Sequence, residues 1–303
     1  MRLAIIGECM VELSNSENDL YHLGFGGDTL NTAVYYSRCG GDAEYVTALS
    51  DDILSKKMLQ QWQAEGVGTQ HVKIMPNTVP GLYLIENDDG GERHFHYWRT
   101  HSPARYLLDN FPRVLDELNE YDAIFLSGIT LSLYSSDTRK MLCDFLQYFR
   151  GRGGLVIFDN NYRPRNWSSV SEASAAFNEI MHIADLALLS MEDEIALHGE
   201  HSMPNCLARW LKSGATEVVI KNGAEGVLAG NTTDSFKVAV PTVVKPVDTT
   251  AAGDSFNGAF LASKARGQSL AMCVRAGQYC AAQVIMHKGA IVPRDVNLIE
   301  GAA

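Results

Sequence analysis

Five short runs, at 3–6, 121–126, 155–158, 186–189 and 218–220, are almost wholly apolar. A strand that is apolar throughout must be covered on both faces, which a sheet with one wet face does not achieve. Around and between these runs, the stretches 29–39, 53–64, 137–149, 171–183 and 205–212 place apolar residues three and four positions apart, the spacing of amphipathic helices. The alternation predicts an α/β chain with a mostly parallel central sheet flanked by helices on both faces. With 303 residues, 46% of them hydrophobic and 20% charged, there is material for one large core, so a single main domain over 1–303 is expected.

Two stretches depart from that rhythm. Residues 81–87 and 92–98, joined by Asp88-Asp89-Gly90-Gly91, read as a β-hairpin. In the second strand Phe95 and Tyr97 alternate with His94, His96 and Trp98, so both faces carry large side chains and a packed face is expected for the histidines. Such a hairpin suits a lid that closes over a ligand, or a surface through which two copies form a homodimer.

A formal net charge of −11 opposes binding to nucleic acid or to acidic membrane surfaces, both of which require a broad positive field. No stretch of 18 apolar residues is present, and the first residues lack the basic region and long apolar segment of a secretion signal. Six scattered cysteines show no disulfide or zinc spacing; reduced thiols and a cytoplasmic location are expected.

The most informative segment is Asp248-Thr249-Thr250-Ala251-Ala252-Gly253-Asp254-Ser255-Phe256, followed by small residues at helical spacing. It reads as a loop entering a helix, whose first N–H groups, cleared of bulk at Ala251, Ala252 and Gly253, suit a phosphate or oxyanion. Asp254 would lie in the first turn, where the helix dipole favours its ionised form and lets it take a proton from a hydroxyl. By spacing alone, a simple capped helix explains the same residues.

The segment from Thr250 to Asp254 is also similar to the signature of the ribokinase-like carbohydrate kinases, and the chain resembles that family elsewhere. Gly24-Phe25-Gly26-Gly27-Asp28-Thr29-Leu30-Asn31 resembles the family's first signature, and Lys221-Asn222-Gly223-Ala224-Glu225-Gly226 its phosphate-side turn. The resemblance implies a ribokinase-like fold with a small β-sheet lid built from segments near 8–25 and 79–100. It implies Asp254 as catalytic base, an anion hole from Gly253, Ala252 and Ala251, and sugar contacts from Gly27, Asp28 and Asn31. Nucleotide contacts fall on Asn161, Lys221, Gly223 and Gly226, with ATP and Mg²⁺ as the phosphoryl donor and its metal. Glu194, in Ser190-Met191-Glu192-Asp193-Glu194, matches a magnesium-linked glutamate, although Met191 stands where the family has asparagine. Asp248 and Thr250 match a monovalent-cation loop. Asp28 departs from ribose-type members, where lysine is common.

Tyr97-Trp98-Arg99 and Asp159-Asn160-Asn161-Tyr162-Arg163-Pro164-Arg165 bring arginines toward the expected pocket. An arginine fork suits a carboxylate, which points to a sugar acid. Within the family the similarity is to kinases of the sugar acid 2-keto-3-deoxygluconate, and it implies Tyr83 and Tyr97 as substrate contacts, Arg99 and Arg163 as the anchors of the carboxylate, and phosphorylation at the 6-position. Arg165 reads as an ordinary surface charge and is left outside the site. A kinase for a neutral sugar on the same fold, or a nucleotide- or sugar-sensing protein without turnover, remains an alternative at this level. Cys273 and Cys280 read as one buried helical stripe, and Ala276, Gly277, Ala281 and Ala282 as either an adenine wall or a helix-packing surface.

Overall fold

The computed structural model describes residues 1–15, 20–87, 93–241 and 244–301; the expected turn at 88–91 lies outside them. The main sheet has nine strands in the order β13 (Ser235–Val238), β12 (Val227–Asn231), β11 (Glu217–Lys221), β10 (Leu186–Ser190), β9 (Leu155–Asp159), β8 (Ala123–Ser127), β1 (Arg2–Ile6), β4 (Asp42–Leu49) and β5 (Val72–Ile74). From β11 to β5 every pairing is parallel, and β12 and β13 extend the edge as antiparallel strands.

The apolar runs become strands because helices bury both their faces. Leu3 and Ile5 of β1 pack with helices Asp28–Arg38, Ala252–Ala265 and Leu270–Val284, while Ala4 and Ile6 face the opposite core with helices Ser136–Gly151, Val170–Met181 and Met203–Ser213. Gly277 belongs to this packing, since a Cβ there would lie 2.7 Å from the Phe256 ring on the neighbouring helix. All six cysteines are buried and unbridged. Among the described residues no helix is long and apolar enough to cross a membrane.

A second sheet has four strands in the order β3 (Tyr21–Gly26), β2 (Met10–Asn15), β6 (Leu82–Asn87) and β7 (Arg93–Trp98). Register sorts its faces: Tyr83 stands opposite Tyr97 and Ile85 opposite Phe95, and with Met10 they form a small apolar cluster. The other face is open, with Leu13, Tyr21, Leu82, Leu84 and Trp98 around one apolar depression. His94 and His96 lie on this open side and are exposed, with His96 beside Glu86 at 3.1 Å. The packed face expected for the histidines is therefore solvated, because the tyrosine side of β7 takes the packing.

Register also arranges the carboxyl ends of the core strands. Ser127 pairs with Asp159 and Ser190 with Lys221, so polar residues that close four apolar strands stand in a row along one sheet edge. In an open parallel sheet that edge is where ligands bind. A shallow cavity of about 230 Å³ at the opposite edge, lined by Asn119, Tyr121 and Arg152, is remote from this row.

Candidate active site

The helices that only support the fold are closed by side-chain caps: Asp52, Ser135, Ser169, Ser202 and Ser269 each accept from backbone N–H groups of the first turn. The helices beginning at Asp28, Met191 and Ala252 have no side-chain cap, with Gly27, Ser190 and Ala251 at the cap positions. In the helix from Ala252 the N–H of Ala252 itself donates to the Thr249 carbonyl at 3.2 Å, which takes it out of the expected anion hole. The N–H groups of Gly253 and Asp254 stand next, at the end where the helix dipole favours an anion.

The third of these carries the main chemistry. Ala251 takes the left-handed conformation (φ 59°, ψ 16°), which costs a residue with a Cβ about 1 kcal/mol and turns the loop into the helix. Gly253 follows with open space beside it: a Cβ there would meet only the Lys221 Nζ, at 3.9 Å. Lys221 Nζ donates to Asn257 Oδ1 at 2.9 Å and lies 3.6 Å from Asp159 Oδ1, while Asn257 Nδ2 donates to Asp159 Oδ2 at 2.9 Å. The lysine is thus fixed beside the open turn.

Asp254 Oδ2 accepts from Asn31 Nδ2 at 2.8 Å. Asp28, at the start of the Asn31 helix, accepts from Ser127 Oγ at 2.5 Å and Asn161 Nδ2 at 2.7 Å. Burial, and then the neighbouring Asp28 carboxylate, push Asp254 well above the usual carboxylate range; burial also raises Asp28. Asp193 is pushed up to about 6 by burial, against the opposing pull of Arg163. Asp28, Asp159 and Asp254 therefore crowd negative charge around one lysine. Asn31 keeps one unmet need, because its Oδ1 is buried without a partner and can accept from a ligand hydroxyl.

Other anticipated residues are placed less simply. Gly26 and Gly27 make room for the protein itself: a Cβ at Gly27 would lie 2.1 Å from the Glu8 carbonyl oxygen, and one at Gly26 2.1 Å from the Tyr83 hydroxyl. Gly223 and Gly226 both have positive φ, 48° and 96°, around a short turn; space beside Gly223 is open, whereas Gly226 sits against the Val238 carbonyl. Tyr83 is buried and donates to Glu12, and its ring lies 5.8 Å from that of Tyr97. Arg99 donates to Glu8, a buried carboxylate also held by Ser102, while Arg99 Nε has no partner. Arg163 is half-exposed, with one nitrogen 3.0 Å from Asp193 Oδ1.

Glu194 departs from expectation. Its side chain is 1% exposed, and it accepts from Arg209, from Trp210 Nε1 at 3.2 Å and from Asn160 Nδ2 at 3.3 Å. These donors fill the carboxylate, so it braces the loop after β9 instead of presenting oxygens to the cleft. Asp248 Oδ1 and Oδ2 accept from the backbone N–H groups of Thr250 and Gly289, both at 2.8 Å, which ties down the loop before the active-site helix.

The structure adds Ser127, Asp159, Asp193 and Asn257 to the site. Asn257 had a sequence signal, since it stands three residues after Asp254 on one helix face. Ser127 had none beyond closing an apolar run. Arg165, set aside as a surface charge, reaches the small sheet: it donates to Tyr97 Oη at 3.2 Å and the Phe95 carbonyl at 3.3 Å, with its guanidinium 4.4 Å from the Tyr97 ring centroid.

An uncapped helix turn, a fixed lysine and a carboxylate beside it, at the carboxyl edge of a parallel sheet, constitute a site built for anionic groups and proton transfer. The pfkB family carbohydrate kinase model matches residues 2–297, and the chain belongs to that family. It is 42% identical to the 2-dehydro-3-deoxygluconokinase of Escherichia coli K12 and 44% identical to that of Dickeya dadantii, covering 97% of this chain in each case and 98% and 97% of the relatives. Its fold is similar to that of Vibrio cholerae fructokinase with fructose, ADP and calcium ion bound, with a TM-score of 0.83 and 25% identity over 95% of this chain and 94% of that one. The aminoimidazole riboside kinase of Salmonella enterica shares the fold with a TM-score of 0.81 at 23% identity, over 95% and 94% of the two chains.

Proposed function

We propose that the protein transfers the terminal phosphoryl group of ATP to the 6-hydroxyl of 2-keto-3-deoxy-D-gluconate. The observation that carries the reading is Asp254, held by Asn31 beside the open turn at Gly253 and next to Lys221. The full-length similarity to 2-dehydro-3-deoxygluconokinases supports the choice of substrate.

In this reading Asp254 takes the proton of the hydroxyl as its oxygen attacks the phosphorus. The N–H groups of Gly253 and Asp254 and the Lys221 ammonium offset the charge that builds on the phosphoryl oxygens. Asn31 Oδ1 and Asp28 accept from sugar hydroxyls, Arg163 faces the acid end, and Tyr83, Tyr97 and Arg99 shape that end beneath the small sheet. Asn161, Gly223 and Gly226 border the nucleotide side.

The donor set also fits a magnesium ion. Among the described residues no three acidic, histidine or cysteine side chains converge as a cage, but magnesium on a nucleotide needs only one or two protein carboxylates beside phosphate oxygens and water. Asp159 and Asp193 are the carboxylates that would hold it, in place of the filled Glu194; the ion would neutralise phosphate charge. A monovalent cation would be held at the loop of Asp248 and Thr250.

The small sheet serves as the lid, excluding water from the transfer, and its open apolar face pairs two copies of the chain. Unbridged cysteines accord with action in the cytoplasm. An assay coupled to ADP release, run with 2-keto-3-deoxygluconate, fructose and ribose, tests the reading. The keto-acid should exceed both neutral sugars in kcat/KM by at least about 100-fold; comparable values for fructose or ribose would overturn it.

A further inference from the structure

We propose that Asn257 is a positioning residue for phosphoryl transfer: it holds the Lys221 ammonium off Asp159 and keeps it at the open turn of Gly253. The proposal rests on the reading of this cleft as a phosphoryl-transfer site and gives a role to a residue which that reading did not use.

Three elements meet at this amide. Lys221 ends β11, Asp159 ends β9, and Asn257 lies in the second turn of the helix Ala252–Ala265. Asn257 is wholly buried, so both ends of its amide depend on protein partners. Its Oδ1 accepts from Lys221 Nζ at 2.9 Å, and its Nδ2 donates to Asp159 Oδ2 at 2.9 Å. The opposite orientation would set an N–H group against the ammonium and a carbonyl oxygen against the carboxylate, so the two charges fix the amide. A neutral group with one acceptor end and one donor end can stand between cation and anion without neutralising either.

The distances show the consequence. Lys221 Nζ stays 3.6 Å from Asp159 Oδ1, outside hydrogen-bond contact. Without the amide nothing keeps the pair apart, and attraction between opposite charges in a buried site grows as they approach. The ammonium would then move onto Asp159 and away from the turn. As placed, it makes one hydrogen bond among the described residues, to Asn257. Its remaining sides face the Phe256 ring, with the centroid 5.7 Å from Nζ, and Gly253, where a Cβ would lie 3.9 Å away. An ammonium carries three N–H groups, so donors remain for an oxygen at that turn. The charge they meet develops during transfer, so a displaced lysine lowers kcat more than it weakens sugar binding.

The test is a double-mutant cycle in the ADP-release assay, with Asn257→Ala, Lys221→Met and the two combined, and thermal unfolding to establish that each variant is folded. Asn257→Leu, which keeps the volume, takes the place of Asn257→Ala in the cycle if the smaller residue does not fold. The Asn257 variant should lower kcat about 10- to 100-fold, somewhat less than outright loss of an oxyanion donor, with KM for 2-keto-3-deoxygluconate within about threefold. Lys221→Met should lower kcat at least as much. The double variant should match Lys221→Met within about twofold, because a residue that acts only through the lysine then has nothing left to position. If Asn257 merely braces the fold, the two losses multiply, and the proposal is overturned. An unchanged kcat in either single variant, or a KM that rises at constant kcat, overturns it equally. Failure of the wider reading shows separately, as an unaltered enzyme that prefers a neutral sugar to the acid; the cycle is then read on that sugar.

Discussion

Asn31 Nδ2 donates to Asp254 Oδ2 at 2.8 Å across 223 residues of sequence, joining the first turns of two helices that both lack a side-chain cap. The bond orients the carboxylate toward the open turn and leaves Asn31 Oδ1 for a ligand. Replacing Asp254 by Asn keeps an acceptor for Asn31 but removes the proposed base. Turnover should fall by about 10²- to 10⁴-fold, with ADP affinity retained by calorimetry.

The same replacement should stabilise the fold. A buried carboxylate whose pKa is raised favours its protonated form, so its contribution to stability is present at low pH and is lost as pH rises through the raised value. Asp254→Asn removes that loss. Its melting temperature should exceed that of the unaltered protein by about 2–4 °C at pH 8 and converge with it toward pH 4, measured by calorimetric scans.

With Asp254 as the proposed base, Asp28 should set the acid limb of activity. Only ionised Asp254 can accept a proton, so kcat/KM should rise with pH through a value above the ordinary carboxylate range. Asp28→Asn takes away the largest charged cause of that elevation and should move the limb to lower pH. A pH–rate profile for the variant that overlays the original would rule out the coupling.

Gly253 separates anion binding from folding. Its backbone φ is not in the left-handed region, and an added methyl meets no atom closer than 3.9 Å, so Gly253→Ala should leave the melting temperature unchanged. The methyl would occupy space expected for phosphoryl oxygens beside Lys221. A fall in kcat of about 10²-fold, the size of losing one oxyanion donor, is the expected result; an unaltered kcat would place the anion elsewhere.

The open face of the small sheet predicts assembly. Trp98 and Tyr21 are 58% and 54% exposed there, beside Leu13, Leu82 and Leu84. Light scattering should give twice the chain mass of 33.3 kDa, and Leu84→Arg should return the protein to one chain. A monomeric unaltered protein would refute the dimer.

The sequence by itself determined the class of architecture, because apolar runs of strand length between amphipathic helices admit little besides a covered parallel sheet. It also marked the turn at residues 251–254, where small residues precede a carboxylate. Tertiary structure alone decided the partners. Met191 to Glu194 looks like one acidic helix start, yet packing buries Glu194 against Arg209 and Trp210 and turns Asp193 toward Arg163. Three arginines look equivalent in the chain, but only folding showed that Glu8 and Asp193 stand beside two of them and the Tyr97 ring beside Arg165. Spacing along a chain records which face a side chain takes, whereas the energy of a charge depends on what stands within a few ångströms of it, and most of those neighbours come from distant segments.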